Sequence, residues 1–77
     1  MQEVLEYIVK NLVSNAEAVE VVAENQGKTK VFKVKVDSKD LGSVIGRGGV
    51  IANAIRTVVK STSGKERIVI KFDAKND

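Results

Sequence analysis

Three glycines and an arginine carry the most evident chemistry of this chain, in the segment Val44-Ile45-Gly46-Arg47-Gly48-Gly49. Because glycine has no side chain, a phosphodiester chain can approach the backbone closely there. A helix predicted to begin at Gly49 adds unpaired N–H groups and a favourable dipole for a phosphate, which Arg47 can also meet. Apolar side chains beside the loop are suited to packing against unstacked bases. These are Ile45, Val50 and Ile51.

Two better-known glycine-rich motifs do not fit this segment. The phosphate loop of nucleotide hydrolases needs a preceding strand and a Gly-Lys-Ser/Thr ending, and both are missing. The dinucleotide fingerprint matches through Gly46-Arg47-Gly48, but its third glycine position holds Ile51 and the preceding element is predicted to be a helix. A tight turn between two helices, in which glycine only permits unusual dihedral angles, is the remaining alternative. The surrounding elements must distinguish this turn from a binding site.

Catalysis and metal binding find little support in the composition. The 77 residues include no cysteine and no histidine, which excludes thiol chemistry, imidazole catalysis, disulfides and the usual zinc ligands. Asp37 and Asp40 flank a predicted helix start, where capping explains them. No apolar stretch is long enough to cross a bilayer, and the N terminus lacks a signal-peptide pattern. We therefore expect a cytoplasmic protein with no membrane contact, no enzyme activity, no cofactor and no metal.

The first half of the chain predicts a helix followed by a hairpin. Apolar residues at helical spacing predict a helix from Gln2 to Ser14, with Asn15 as a left-handed terminator. Alternating residues then predict two strands joined by a polar turn at residues 25–28. The inward positions of these strands are Val19, Val21, Ala23, Phe32, Val34 and Val36. Lys33 and Lys35 on the opposite phase predict a basic outer face.

The second half predicts two helices and a strand. Asp37 or Ser38 caps a short helix through residues 39–45, and glycines interrupt it. A longer helix follows from Gly49 and ends at Gly64. Its predicted inner residues are Ile51, Ala52, Ile55, Val58 and Val59. The final strand covers Arg67 to Asp73 and precedes a short polar tail, with Phe72 on its inward phase.

The order of elements is therefore helix, strand, strand, helix, helix, strand. A right-handed crossover puts all three helices on one face of a three-stranded mixed sheet, which is an α+β architecture. No internal repeat, low-complexity run or linker interrupts the sequence, so residues 1–77 are predicted to form one domain.

Charge is unevenly distributed along the chain. Residues 1–26 hold one lysine and five glutamates, a net charge of −4, whereas residues 27–77 hold twelve Lys/Arg and five Asp/Glu, a net charge of +7. Polyanions should prefer the second part. A solvated strand face explains Lys33 and Lys35 equally well, so charge alone does not identify a nucleic-acid site.

The motif and its context resemble a KH domain of the second, bacterial topology. The similarity extends to the small single-domain bacterial KH RNA-binding proteins through the stretches LEYIVKNLV, LGSVIGRGG and IANAIRTVV, which span most of the chain. This resemblance implies that Gly46, Arg47, Gly48 and Gly49 form the loop that grips an RNA backbone. It also implies that Ile45 and the helix from Val50 form one side of a base-binding groove.

The chain departs from the family pattern just after the loop. Family members usually place basic residues where this chain has Val50 and Asn53. Asn53 can still donate hydrogen bonds, and Arg56 and Lys60 lie one and two turns further along the helix. Plain solvation is the alternative interpretation of both Arg56 and Lys60. Val50 and Ile51 either strengthen base packing or mark a protein contact.

The resemblance implies single-stranded RNA as the partner, at about four nucleotides per KH site, and a post-transcriptional or ribosome-associated regulatory role. An alternative function is a protein-interaction module, whose RNA binding depends on the partner. The resemblance suggests self-association or pairing with a larger Jag-like KH RNA-binding protein.

Overall fold

The computed structural model describes residues 2–75, so Met1, Asn76 and Asp77 of the predicted domain and tail lie outside the described residues. The helices and strands follow the predicted order. They are α1 (Gln2–Leu12), β1 (Glu20–Gln26), β2 (Thr29–Asp37), α2 (Leu41–Ile45), α3 (Val50–Ser63) and β3 (Arg67–Lys75). Short 3-10 turns connect them at Ala16–Ala18, Ser38–Asp40 and Arg47–Gly49.

The three strands form one mixed sheet in the order β1-β2-β3. β1 and β2 are antiparallel, with Ala23 opposite Phe32. β2 and β3 are parallel, with Phe32 opposite Ile70. Because a parallel pair cannot be joined by a tight turn, α2 and α3 must cross over the sheet between β2 and β3. The predicted α+β fold with three helices and a three-stranded mixed sheet is confirmed, and it is that of a type II KH domain.

The core lies between the helices and the inward face of the sheet. All three helices contribute to one cluster of buried side chains together with all three strands. Its members are Leu5, Val9, Val21, Phe32, Val34, Val36, Val44, Ile55, Val59, Ile68 and Ile70. Burial of each such side chain contributes about 1.5–3 kcal/mol. Truncating Val34, which is fully buried on β2, would therefore cost both the lost burial and the cavity that it leaves.

Alternation misassigned three valine or alanine positions. Val58 was predicted to face inward but is exposed, because it lies on the flank of α3 nearest α1. Ala23 is also exposed, since it lies on the edge strand β1 with only one neighbouring strand. Val31, on the outer phase of the central strand, is only 3% exposed. Its outer-face neighbours Glu24 and Val69 flank it on both sides.

The end of α1 is held by a long-range contact that the sequence did not reveal. The helix ends at Leu12 rather than Ser14, and Asn15 has a φ of −111°, so the predicted left-handed terminator is wrong. The buried Asp40 carboxylate instead accepts hydrogen bonds from the Ser14 backbone N–H at 3.1 Å, the Ser14 hydroxyl at 2.7 Å and the Asn15 N–H at 3.1 Å. These bonds, led by that of the Ser14 hydroxyl, lower the pKa of Asp40 because they favour the charged form.

Asp37 performs the capping role predicted for it. Its carboxylate accepts from the Lys39 N–H at 3.2 Å and from the Asn15 side-chain amide at 3.2 Å. The Lys39 N–H is the main cause of the lowered pKa of Asp37. Asp37 therefore caps the turn at Ser38–Asp40, as predicted. The capping prediction is wrong for Asp40, whose carboxylate makes no cap hydrogen bond to α2 and instead binds Ser14 and Asn15 beyond the end of α1.

Candidate nucleic-acid interface

The loop between α2 and α3 is a hydrogen-bonded turn with three left-handed glycines. Gly46, Gly48 and Gly49 have φ values of 76°, 65° and 80°. The Gly46 N–H donates to the Gly42 carbonyl at 2.9 Å, and the Gly49 N–H donates to the Gly46 carbonyl at 3.1 Å. Residues with a Cβ rarely adopt such angles, so this backbone conformation depends on glycine. The turn is therefore formed before any ligand arrives.

The glycines differ in what surrounds them. A Cβ on Gly46 would lie 2.7 Å from Cγ1 of Ile51, whereas a Cβ on Gly48 would meet nothing within 4 Å. Gly46 is therefore needed for packing against the first turn of α3. Gly48 is exposed and leaves the backbone open. Of the loop glycines, Gly48 best fits the expectation of close approach by a phosphodiester chain.

The start of α3 and Arg47 offer positive charge next to this open backbone. Gly49 occupies the N-cap position of the 14-residue helix, and no side chain caps it. Its dipole therefore favours an anion near the loop. Arg47 is exposed and makes no hydrogen bond or ion pair within residues 2–75. The start of α3 and this guanidinium lie within the same loop segment, and both favour an anion there.

The structure separates the apolar residues predicted to contact bases. Ile45 is half-buried and packs against the core. Val50 is 66% exposed and, together with Ile51, lies on the α1 side of α3. Val50 and Ile51 thus line a different surface from the basic residues further along the helix.

Arg56 reaches across to the edge strand β3 instead of extending into solvent. Its Nε and Nη2 both donate to the Ile70 carbonyl, at 3.3 and 3.2 Å. Its Nη1 donates to Oδ1 of Asn53 at 3.2 Å. The guanidinium also lies over the ring of Phe72, 5.4 Å from the centroid. The two predicted site residues Asn53 and Arg56 are therefore hydrogen-bonded to each other. Arg56 is not simply a solvated side chain, because it also binds β3.

A cleft of about 370 Å³ runs between α3 and β3, and we call it the polar groove. It is lined by Arg56, Lys60, Ile68, Val69, Ile70 and Lys71. The sequence did not predict that β3 residues line this groove, because the edge position of β3 depends on how the strands pair. The alternation that predicted β3 placed Lys71 on the outward side of the strand. This exposed position was the only sequence signal that Lys71 could contribute to a binding surface.

Ion pairs reduce the positive charge on the outer face of the sheet. Lys33 Nζ lies 3.3 Å from Glu24, and Lys75 Nζ lies 3.4 Å from Glu20. Glutamates of the acidic residues 1–26 therefore neutralise part of the positive charge of residues 27–77 where β1 joins the sheet. Lys60 and Lys71 have no ion-pair partner within residues 2–75. The polar groove therefore keeps two lysines whose charge no carboxylate within residues 2–75 neutralises.

A second cleft, of about 330 Å³, lies on the other flank of α3 and is almost entirely apolar. We call it the apolar groove. It is lined by Ile8, Leu12, Val50, Ile51, Ala54, Ile55 and Val58. Val4 lies one turn before Ile8 on α1 and is 49% exposed. Contiguous exposed apolar surface of this kind is typical of protein–protein contacts.

Within residues 2–75, no cluster of His, Cys, Asp and Glu could hold a metal ion. Across the same residues, no helix has both the length and the apolar character needed to cross a membrane.

The chain is similar to known proteins over most of its length. The family described as "KhpA/KhpB, KH domain" matches residues 2–73. "RNA-binding protein KhpA" of Clostridium perfringens is 44% identical over 74 residues, which cover 94% of this chain and 99% of that protein. The proteins of the same name from Caldanaerobacter subterraneus and Streptomyces coelicolor are each 43% identical. The first covers 94% of this chain and 99% of the relative, and the second covers 84% and 82%. No solved structure matches the chain.

Proposed function

This chain belongs to the KhpA/KhpB family of KH domains, and from that premise we propose that it binds short single-stranded RNA. Relatives covering most of its length carry the name RNA-binding protein. The observation that carries the proposal is the loop itself. The open backbone at Gly48, the Arg47 side chain, which has no hydrogen bond or ion pair within residues 2–75, and the start of α3 all lie within residues 46–50.

The loop and the polar groove have different proposed roles in RNA binding. Gly46, Arg47, Gly48 and Gly49 hold the RNA backbone, with Gly46 setting the turn. Bases then enter the polar groove beside Asn53 and Arg56, while Lys60 and Lys71 at its rim attract phosphates. About four nucleotides fit a KH site of this kind. Binding should be tolerant of sequence and sensitive to salt.

A regulatory rather than a catalytic role suits this chemistry. Within residues 2–75, Asp37 accepts from the Lys39 N–H, and Asp40 accepts from the Ser14 hydroxyl and from the Ser14 and Asn15 N–H groups, so both carboxylates serve local structure. We infer that the protein acts on RNA in the bacterial cytoplasm, as a post-transcriptional or ribosome-associated regulator. Its activity then consists of binding alone.

The test is a titration of short single-stranded RNAs at several salt concentrations with wild type and with Arg47→Asp plus Gly48→Asp. The matched control is Gly27→Asp plus Lys28→Asp in the hairpin turn. Gly27 has the same φ as Gly48, 65°, and its Cβ would also meet nothing within 4 Å. Both double variants change the net charge by −3. The turn precedes β2 and the loop follows it, so about 30 Å of strand separates them.

We expect wild type and the hairpin control to bind with a negative log–log salt slope, about −0.7 per neutralised phosphate. The loop variant should lose both affinity and slope. All three proteins must show the same folded signal by circular dichroism. Equal binding by the loop variant and the control would show that the loop is not the RNA grip.

The apolar groove favours a second function, protein interaction. We propose that it receives another KH domain, either a second copy of this chain or a larger Jag-like KH RNA-binding protein. Support comes from the exposure of Val50 at 66% and Val58 at 48% in a cleft almost without polar atoms. Sedimentation over a concentration series tests self-association, and a strictly monomeric protein would exclude the second copy.

A further inference from the structure

Arg56 is already held in one orientation in the free protein. Its guanidinium contacts the Ile70 carbonyl, the Asn53 side chain and the Phe72 ring together. A free arginine side chain loses rotamer entropy when it is ordered. Because this ordering precedes ligand binding, Arg56 is pre-organised to recognise a ligand in the polar groove.

The guanidinium retains two free donors. It has five N–H groups, and the contacts use Nε–H, one N–H of Nη1 and one N–H of Nη2. One N–H therefore remains on each of the two terminal nitrogens. Because Nε–H and one Nη2–H share the Ile70 carbonyl, the free Nη2–H lies on the end edge of the guanidinium, beside Nη1. When Asn53 accepts the Nη1–H on the Cδ side, the other Nη1–H is parallel to the free Nη2–H, and the two can meet adjacent acceptors on one ligand.

The surroundings of Arg56 favour a base over a phosphate. Ile68 and Ile70 line the polar groove, and their exposed fractions are only 7% and 4%. Lys60 and Lys71 are exposed at the rim, where a phosphate can remain hydrated. Arg56 also lies seven residues beyond Gly49, about 10 Å along the helix. A backbone gripped at the loop can thus deliver one of its bases to Arg56.

We propose that Arg56 reads the base edge and makes the polar groove prefer guanine or cytosine at one position. This inference rests on the proposed RNA binding. Guanine presents O6 and N7 as adjacent acceptors, and cytosine presents O2 and N3. Adenine and uracil place a donor in each corresponding pair, so they can satisfy only one of the two N–H groups. The chemical class recognised is therefore a base with two neighbouring acceptors.

The test compares RNA pentamers that differ by one chemical change. Pentacytidylate is compared with pentauridylate, and a single guanine, 7-deazaguanine or adenine is placed at the centre of a uridine pentamer. We expect cytosine over uracil and guanine over adenine by about tenfold or more, the usual gain of a bidentate contact. 7-Deazaguanine, which lacks the N7 acceptor, should lose most of the guanine preference.

Arg56→Lys keeps the positive charge but removes the planar pair of donors. We expect its cytosine-to-uracil ratio to fall towards one, whatever the loss of overall affinity. Arg47→Lys should weaken binding to all pentamers alike, and Arg67→Lys, outside the groove lining, should keep the wild-type ratio. A melting curve checks that each variant folds, and the wild-type comparisons do not depend on any variant.

Each outcome separates this inference from the function it rests on. Salt-sensitive binding that is equal for all pentamers, or a cytosine preference retained by Arg56→Lys, would refute base reading by Arg56 and leave RNA binding intact. Absence of binding to every pentamer would overturn both. Preference for cytosine and guanine that disappears in Arg56→Lys supports the assignment.

Discussion

The two flanks of α3 differ in nearly every property. The polar groove towards β3 contains three cationic side chains, and one of them is fixed by hydrogen bonds to the edge strand. The apolar groove towards α1 contains only aliphatic side chains. Both clefts have a similar volume, so chemistry rather than size distinguishes them. The proposed RNA contact and the proposed protein contact therefore occupy opposite sides of one helix.

Helical periodicity explains how a single segment supplies both surfaces. Asn53, Arg56 and Lys60 recur at i, i+3 and i+7, which places them on one flank. Val50, Ala54 and Val58 recur every four residues and occupy the other flank. The side chains between them, at Ala52, Ile55 and Val59, are buried in the core. A substitution can therefore act on one groove with little effect on the other, except at the loop that both share.

The largest expected effect is at Gly46, where the loop meets the apolar groove. Alanine is unfavourable at this position for two reasons. The φ of 76° strains any residue that has a Cβ, and that Cβ would lie only 2.7 Å from Cγ1 of Ile51. We expect Gly46→Ala to destabilise the fold by about 3 kcal/mol, since such backbone strain costs about 1–3 kcal/mol before any clash. A fall in Tm of about 10 °C or more should follow for a domain of this size.

Gly48→Ala is the matched comparison, because its φ is also positive but its Cβ would meet nothing. We expect a cost of only about 1–2 kcal/mol. Thermal unfolding of both variants measures the difference. Equal melting temperatures would mean that the contact with Ile51 contributes nothing and that the two grooves are independent at the loop.

Charge placed in the apolar groove should separate the two proposed functions. Ala54 lines this groove and is exposed, so a larger polar residue there should not disturb the core. We expect Ala54→Asp and Ala54→Lys each to weaken self-association by at least about tenfold, because burying an unpaired charge costs more than about 1.4 kcal/mol. Sedimentation and RNA titration measure the two functions separately. If either substitution leaves self-association unchanged, the interface lies elsewhere.

Lysines in and outside the polar groove should differ in their contribution to RNA binding. Lys60→Ala removes a groove cation without an ion-pair partner in the described part of the chain, so we expect severalfold weaker binding. The magnitude of the log–log salt slope should fall by about 0.7. Lys33→Ala is the control, since Lys33 pairs with Glu24 on the outer face. RNA titrations at several salt concentrations measure both, and equal slopes would show that Lys60 contributes no more to RNA binding than Lys33 does.

The smallest expected change concerns the acid profile set by Asp40, whose carboxylate holds the end of α1. Its pKa is lowered in the folded state by the bonds from Ser14 and Asn15. Its contribution is therefore complete above the unfolded-state pKa of about 3.9 and is lost as the pH falls through the lower folded value. We expect Tm to decline below about pH 4. Asp40→Asn should make this decline shallower, whereas an unchanged acid profile would show that another group causes it.

The predictions made from sequence succeeded where local pattern is sufficient. The order of elements, the inward strand phases around Phe32, Val34 and Ile70, and the helix end at Gly64 all follow from spacing within a few residues. The Gly-rich loop was located in the same way, between two helices. At Val58 and Asn15 local pattern failed, because α1 left one flank of α3 uncovered and Asp40 held the end of α1.

Residue types and their local periodicity were sufficient for the elements, the core and the position of the loop, because side-chain direction repeats with the backbone. Pairing of distant segments was required for the rest. The strand order places β3 at the edge of the sheet, where Arg56 contacts it. It also places Glu24 beside Lys33 and Glu20 beside Lys75. The packing of α3 on this sheet leaves a groove along each of its flanks. Such contacts join residues far apart in the chain, and no local spacing encodes their geometry.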